Sequence, residues 1–275
     1  MSTQTATRMA LHPDRLLPAE GEVRPIARRL YEQVNDLPIL SPHGHVDAGL
    51  LLDDEPFADP TSLLITPDHY VTRLLHASGV RLEDLGVAQG PLTALAARHA
   101  WRLLCEHWPA FRGTPVRYWL ETELADVFGV DLRPAPGTAD AIFDQLADCL
   151  ARPAFRPRAL FERFGIEVMA TTDDPVDDLA AHAALRDAPA FTGRVLPTFR
   201  PDRYLEVGRQ EWAGDVARLG AVAGLDAGTY AGWVAAMERR RDHFRAHGAR
   251  SADHRHTKRF FDRLVGSGGK ACTLS

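Results

Sequence analysis

Lysine is almost absent from this chain of 275 residues. The two copies, Lys258 and Lys270, both lie close to the C-terminus, and arginine supplies the other strong bases. The formal net charge is −5. Because a protein that binds nucleic acid through its phosphates usually carries a basic patch, this balance argues against a nucleic-acid partner.

Cysteine and long apolar runs are scarce as well. Cys105, Cys149 and Cys272 are too widely spaced for a disulfide framework or a thiolate zinc site, which favours a reducing compartment. The first ten residues lack the apolar segment of a signal peptide. No window has the ~20 apolar residues that cross a bilayer. We therefore expect a cytoplasmic protein without a membrane partner.

Three common functional motifs are also missing. The sequence contains no G-x-G-x-x-G before a predicted helix, no Walker loop and no G-x-S-x-G elbow. Nucleotide binding and serine hydrolysis therefore have no support in the sequence.

The hydrophobic pattern predicts strands that alternate with helices. Strands are expected at 37–43, 165–172 and 194–200, with a short fourth strand from about 248 to 251. Because parallel neighbours need a crossover, this alternation predicts an α/β fold with a parallel sheet. The helical patterns between the first two strands form a stretch too long for one crossover, so they predict an inserted subdomain.

This interpretation divides the chain into four segments. They are an N-terminal arm with a helix and strand 1 (1–49), an inserted helical subdomain (50–164), β/α units (165–254) and a divergent tail (255–275). In the third segment, helices are predicted over 176–186 and within 204–246. In the second, a helix is predicted to begin at the capping residue Thr138.

Two histidines follow the first predicted strand. His43 and His45 are two residues apart, a spacing that places two side chains of a strand on the same face. Two imidazoles that converge on one point are typical ligands of zinc and similar ions. Gly44 would let the backbone approach closely, and Asp47 adds a carboxylate. Such a pair also arises by chance in a chain with 12 histidines.

Polar residues also follow the other predicted strands, where α/β enzymes place their chemistry. These residues are Thr171, Thr172, Asp173 and Asp174 after the second strand, Thr198, Arg200 and Asp202 after the third, and Asp253 and His254 after the fourth. The guanidinium of Arg200 suits bidentate binding of a carboxylate, but a structural ion pair with Asp202 is an equal alternative.

Two further motifs have simple structural interpretations. Asp173-Asp174-Pro175 favours a helix cap followed by proline in the first turn, ahead of metal binding. His69 and Tyr70 offer an acid–base pair, although a packed aromatic pair is the more frequent arrangement.

Five motifs together resemble those of the uronate (glucuronate) isomerases, a branch of the amidohydrolase superfamily. In order they are Pro42-His43-Gly44-His45, Asp68-His69-Tyr70, Thr171-Thr172-Asp173-Asp174-Pro175, Leu196-Pro197-Thr198-Phe199-Arg200-Pro201-Asp202 and Ser251-Ala252-Asp253-His254. The similarity extends over about residues 10–254.

The resemblance implies a fold and a reaction. The family uses a distorted (β/α)8 TIM-type barrel, of which this sequence would supply about four parallel strands, with a large helical insertion after strand 1. It interconverts hexuronates, such as D-glucuronate with D-fructuronate and D-galacturonate with D-tagaturonate, by a metal-assisted enediol mechanism. The metal is a divalent cation, expected to be Zn²⁺.

Site roles also follow from the resemblance. His43 and His45 resemble the metal ligands of strand 1, and Arg200 resembles the arginine that holds the substrate carboxylate. His69 and Tyr70 resemble the pair that contacts the substrate and takes part in catalysis.

The chain departs from the family in length. The family's remaining strands, and an aspartate ligand that is also the expected base, have no counterpart here. We therefore expect a truncated member with little or no isomerase activity alone, whose tail is either a variable C-terminus or a truncated or frame-shifted end. A metal-dependent hydrolase remains an alternative. So does a non-catalytic fragment that binds a partner, or itself as a homo-oligomer, through an open sheet edge.

Overall fold

The structure, a computed structural model, describes Met9 and residues 11–254, so the predicted tail (255–275) lies outside the described residues. The helices are α1 (Arg24–Glu32), α2 (Ala48–Asp53), α3 (Pro60–Leu64), α4 (His69–Ala77), α5 (Ala94–Glu106), α6 (Pro115–Thr122), α7 (Ala139–Leu150), α8 (Pro157–Arg163), α9 (Ala180–Asp187), α10 (Asp202–Leu205), α11 (Trp212–Ala223) and α12 (Tyr230–Ala246). The strands are β1 (Ile39–Ser41), β2 (Ile166–Ala170), β3 (Arg194–Leu196), β4 (Thr198–Phe199) and β5 (Ser251–Ala252).

Two compact units make up the chain. The first comprises the chain up to Leu37 together with Asp54–Phe164, and the second comprises Pro38–Asp53 together with the chain from Gly165 onward.

The first unit is helical. Helices α3, α5 and α7 pack around Trp101, which is fully buried and donates its indole N–H to the carbonyl of Ala139 at 3.0 Å. Helix α7 does begin after Thr138, but the prediction of a side-chain cap is wrong. The Thr138 hydroxyl instead donates to the carbonyl of Arg133 and accepts from the Ala135 N–H.

Parallel strands make up the sheet of the second unit, which confirms the predicted α/β class. β2 lies between β1 and β3, with Ser41 opposite Met169 and Ala170 opposite Leu196. A second parallel pair joins β4 to β5. A single strand was predicted over 194–200, but it is split at Pro197, which has no N–H to donate to a ladder.

The loop after β2 departs from the prediction. No helix begins at Asp173-Asp174-Pro175, so the cap interpretation is wrong, and α9 starts only at Ala180. The carboxylates of Asp174, Asp177 and Asp178 each accept the backbone N–H two residues ahead, a local hydrogen bond that competes with helix formation.

The described part of the chain bears on the expectations about cysteines and about apolar segments. Cys105 and Cys149 are both buried free thiols, and burial raises the pKa of Cys105 to about 12. Among the described helices, none has both the length and the apolar character that a bilayer crossing requires.

Candidate functional site

The two histidines of the first motif lie just past the end of β1, and their rings are in edge-to-face contact. Their Nε2 atoms are 3.2 Å apart, and the rings meet almost at right angles with centroids separated by 4.9 Å. The predicted strand extended to residue 43, whereas β1 ends at Ser41, so a loop rather than a strand brings the rings together.

Gly44, between the two histidines, makes this loop possible. A Cβ at this position would lie 2.9 Å from the carbonyl oxygen of Ala170, at the end of β2. Only glycine allows the loop to lie so close to β2, as the sequence predicts.

A metal ion fits the geometry of this pair. Two nitrogen ligands of a tetrahedral zinc ion, each ~2.05 Å from the metal, lie about 3.3 Å apart. The 3.2 Å between the Nε2 atoms of His43 and His45 is close to this value. Over the described residues, no set of three or more His, Cys, Asp and Glu side chains is placed to hold a metal ion. The pair therefore offers two ligands of a site, not a complete site.

The remaining ring nitrogens of the two histidines face polar neighbours. His45 Nδ1 lies 3.2 Å from the hydroxyl of Thr172, at the end of β2. His43 Nδ1 lies 3.8 Å from a carboxylate oxygen of Asp253, just after β5. The Nδ1 atoms thus lie near polar groups, while the two Nε2 atoms face each other.

Asp253 also connects the histidines to Arg200. The same carboxylate oxygen lies 3.6 Å from the guanidinium of Arg200. The backbone N–H of Asp253 donates to the carbonyl of Phe199 at 3.0 Å. Arg200 donates its Nε–H to Asp202 at 2.8 Å, so the predicted structural ion pair is present as well. The structure therefore brings His43, His45 and Arg200 into one neighbourhood of the second unit.

A polar cavity of about 500 Å³ opens beside Arg200. It is lined by Thr172, Asp173, Asp174, Arg200, Asp202, Arg203 and Arg209. Its three arginines could bind an anionic group, and two of them, Arg200 and Arg203, are held by ion pairs with aspartates of the same lining. Asp174, for example, pairs with Arg203 at 3.1 Å.

His69 and Tyr70 lie in the helical unit, in the first turn of α4. Asp68 caps this helix by accepting the N–H groups of Tyr70 and Val71. The rings of His69 and Tyr70 lie 4.1 Å apart, and Tyr70 meets Trp119 edge to face at 5.9 Å. The packed aromatic arrangement is therefore present, and Tyr70 is still 48% exposed.

Sequence reasoning missed two titratable groups. Glu123 lies in a single turn of π-helix (Glu123–Val127) directly after α6, where burial and the negative charge of Asp68 raise its pKa to about 7. His182 is buried beneath Asp173. The short π-helix and the delayed start of α9 set these positions, and neither feature leaves a clear sequence signal.

Comparison with known proteins places these features in a family. The sequence matches the glucuronate isomerase family over residues 22–267. It is 54% identical to the uronate isomerase of Cutibacterium acnes over 256 residues, covering 93% of this chain and 54% of that protein. It is 53% identical to the uronate isomerase of Corynebacterium glutamicum, covering 90% and 48%.

Solved structures agree with the sequence comparison. The crystal structure of glucuronate isomerase from Caulobacter crescentus superimposes with a TM-score of 0.85 at 38% identity, covering 94% of this chain and 56% of that one. Uronate isomerase from Thermotoga maritima gives a TM-score of 0.80 at 30% identity, covering 96% and 58%. The chain thus spans about half the length of the relatives it matches. By sequence and by fold, it belongs to the glucuronate isomerase family.

Proposed function

We propose that the chain acts in the aldose–ketose isomerisation of hexuronates, converting D-glucuronate to D-fructuronate and D-galacturonate to D-tagaturonate. The observation that carries the proposal is the convergence of the His43 and His45 Nε2 atoms near Arg200, with Asp253 between them. A cation site beside a guanidinium suits a sugar with both a carbonyl group and a carboxylate.

His43 and His45 would hold the cation through their Nε2 atoms, and we propose Zn²⁺ as this cation. When bound, it supplies a Lewis acid that polarises the sugar carbonyl and stabilises the negative charge that develops on its oxygen. Thr172, near Nδ1 of His45, and Asp253, near Nδ1 of His43, would help to hold the two rings in this orientation.

Arg200 would orient the substrate by its carboxylate. The ion pair with Asp202 fixes the plane of the guanidinium, and the polar cavity beside it offers room for a sugar acid. Because a planar guanidinium binds a carboxylate in two-point fashion, it sets the direction of the sugar chain as well as its affinity.

His69 and Tyr70 are proposed to contact the substrate hydroxyls and to take part in the proton movement. Isomerisation moves a proton between C2 and C1 through an enediol, so it needs groups that accept and return protons. The half-exposed phenol of Tyr70 and the neighbouring imidazole offer such groups.

The fold is proposed to be part of a (β/α)8-type barrel. In this interpretation, β1, β2, β3 with β4, and β5 are consecutive barrel positions, and residues 50–164 are a helical insertion after the first. The parallel pairing of these strands and the likeness to solved uronate isomerases support it.

The test is an isomerase assay of the full chain with Zn²⁺ in D₂O, followed by NMR of the sugars. We expect ketose from D-glucuronate to form at least ~10²-fold more slowly than with the Caulobacter enzyme, since the described residues supply only two ligands. His43→Ala and Arg200→Ala should abolish it, while Arg186→Ala, which alters an exposed ion pair on α9, should not. Absence of ketose from both hexuronates would overturn the activity as a property of this chain.

A further inference from the structure

Three largely buried polar side chains form a cluster that reaches the polar cavity through Asp173. Thr171 and His182 are 1% and 5% exposed, and the side chain of Asp173 is 10% exposed. Thr171 and Asp173 follow β2, whereas His182 comes from α9. Buried polar groups are costly unless they bond to one another, so a cluster of this kind is retained only where its hydrogen bonds are made.

The direction of these hydrogen bonds can be worked out from their lengths. The Thr171 hydroxyl lies 2.6 Å from Oδ2 of Asp173, 2.9 Å from Nε2 of His182 and 3.3 Å from the carbonyl of Leu196. A hydroxyl has a single proton, and the short contact to Asp173 takes it. The ring of His182 must then donate its Nε2–H to the Thr171 oxygen.

This assignment agrees with the surroundings of His182. Burial lowers the pKa of its imidazole, which favours the neutral ring with a single proton. Its other nitrogen, Nδ1, is buried with no hydrogen-bond partner, as expected for a nitrogen that carries a lone pair rather than a proton. Burial also raises the pKa of Asp173, and the hydrogen bonds from Thr171 and Thr198 oppose that shift.

Asp173 connects the cluster to β4, the strand directly before Arg200. Its carboxylate accepts the backbone N–H of Thr198 at 3.0 Å, and its backbone carbonyl accepts the N–H of Arg200 at 3.0 Å. The Asp173 N–H donates in turn to the carbonyl of Thr198. A single residue therefore holds β4 from both its backbone and its side chain.

We propose that Thr171, Asp173 and His182 form a positioning relay, in which His182 donates to Thr171 and Thr171 donates to Asp173, and that this relay sets the placement of Arg200. Thr171 and His182 act through Asp173, which lines the cavity and bonds to β4. They fix the end of β4, so that the guanidinium faces the cavity in one orientation. The inference rests on the proposed function for the role of Arg200 as the carboxylate-binding residue.

The first test measures Arg200 itself and needs no substrate. Hydrogen exchange of the Arg200 Nε–H is followed by NMR in the full chain. Thr171→Val removes the hydroxyl with little change of shape, and Asp173→Asn removes the charge. Both are expected to accelerate the exchange about tenfold or more. Thr171→Ser, which keeps the hydroxyl, should restore the wild-type rate.

Glu167→Gln is the matched control. It makes the same kind of change on β2, but at an exposed ion pair with Arg194. Unchanged Arg200 exchange in Thr171→Val would overturn the relay. So would failure of Thr171→Ser to restore the rate, or an equal effect of Glu167→Gln.

The second test compares the affinities of D-glucuronate and of D-glucose, which lacks the carboxylate, by calorimetry. If the relay positions Arg200, Thr171→Val should bind D-glucuronate about tenfold less tightly than the wild type does. Its affinity for D-glucose should be unchanged. Equal losses for both sugars would indicate a purely structural role and overturn the proposal. If the wild-type chain does not discriminate between the sugars, the proposed function fails, and the exchange experiment still decides the relay.

Discussion

His43 turns one ring nitrogen toward His45 and the other toward Asp253, whose carboxylate oxygen lies 3.8 Å from Nδ1. A histidine that binds a metal ion commonly faces a carboxylate with its second nitrogen, because this fixes the tautomer and makes the ring a stronger ligand.

Asp253→Asn should therefore weaken Zn²⁺ binding. We expect a loss of about tenfold in affinity, measured by competition with a fluorescent chelator. Asp187→Asn, which changes an exposed partner of Arg186, is the control. Equal affinities of Asp253→Asn and the wild type would show that this carboxylate does not support the pair.

The histidine pair itself should dominate metal binding. His43→Ala and His45→Ala each remove one of two converging nitrogens, so each should lower the Zn²⁺ affinity by at least ~10². The double variant should bind no more tightly than either single one. His99→Ala, an exposed histidine on α5, should leave the titration unchanged. If either single variant kept the wild-type affinity, metal binding would have to be assigned to other residues.

Glu123 should make stability depend on pH. Its pKa is about 7 in the folded protein, above the usual 4.5, so the folded state holds this proton more tightly than the unfolded chain. The resulting stability is fully present below about pH 4.5 and is lost as the pH rises through about 7.

Glutamine cannot ionise, so Glu123→Gln does not lose this stability as the pH rises. The difference in free energy of unfolding between Glu123→Gln and the wild type should therefore increase by on the order of 1–3 kcal/mol from about pH 4.5 to about pH 7. Urea unfolding at several pH values measures the difference. Glu162→Gln, at an exposed position on α8, is the control. A difference for Glu123→Gln that stays constant with pH would contradict the prediction.

Arg240 should contribute strongly to the stability of the second unit. It is 7% exposed in α12 and donates at 2.6 Å to the carbonyl oxygens of both Pro175 and Asp177. Arg240→Met removes the donor to the buried Pro175 carbonyl as well as the one to Asp177, and should cost on the order of 2–4 kcal/mol. Arg241→Met, at the exposed next position of the helix, should change stability by less than about 0.5 kcal/mol. Similar urea midpoints for the two variants would refute this role.

The sequence predicts features that depend on short spacing along the chain or on the order of elements. His43 and His45 could be paired from the sequence alone, because the distance between them is limited by two residues of chain. The parallel α/β class followed from the alternation of strands and helices.

Features that depend on competition between local and tertiary hydrogen bonds could not be predicted. Asp173 looked like a helix cap, yet its carboxylate bonds to Thr171 and Thr198, residues whose placement requires the folded sheet. His182 gave no signal, since its burial depends on where α9 begins, and that start is set by the aspartate-rich loop before it. Pro197 could have been recognised as the break between β3 and β4, because its missing N–H is visible in the sequence.

Because Gly44 lies so close to Ala170, the histidine motif depends on this glycine as well as on its two histidines. Even a methyl group there would clash with the β2 backbone. The resulting shift of the loop would move one imidazole away from the other. Substitution of this glycine would thus disable the proposed cation site without touching either histidine.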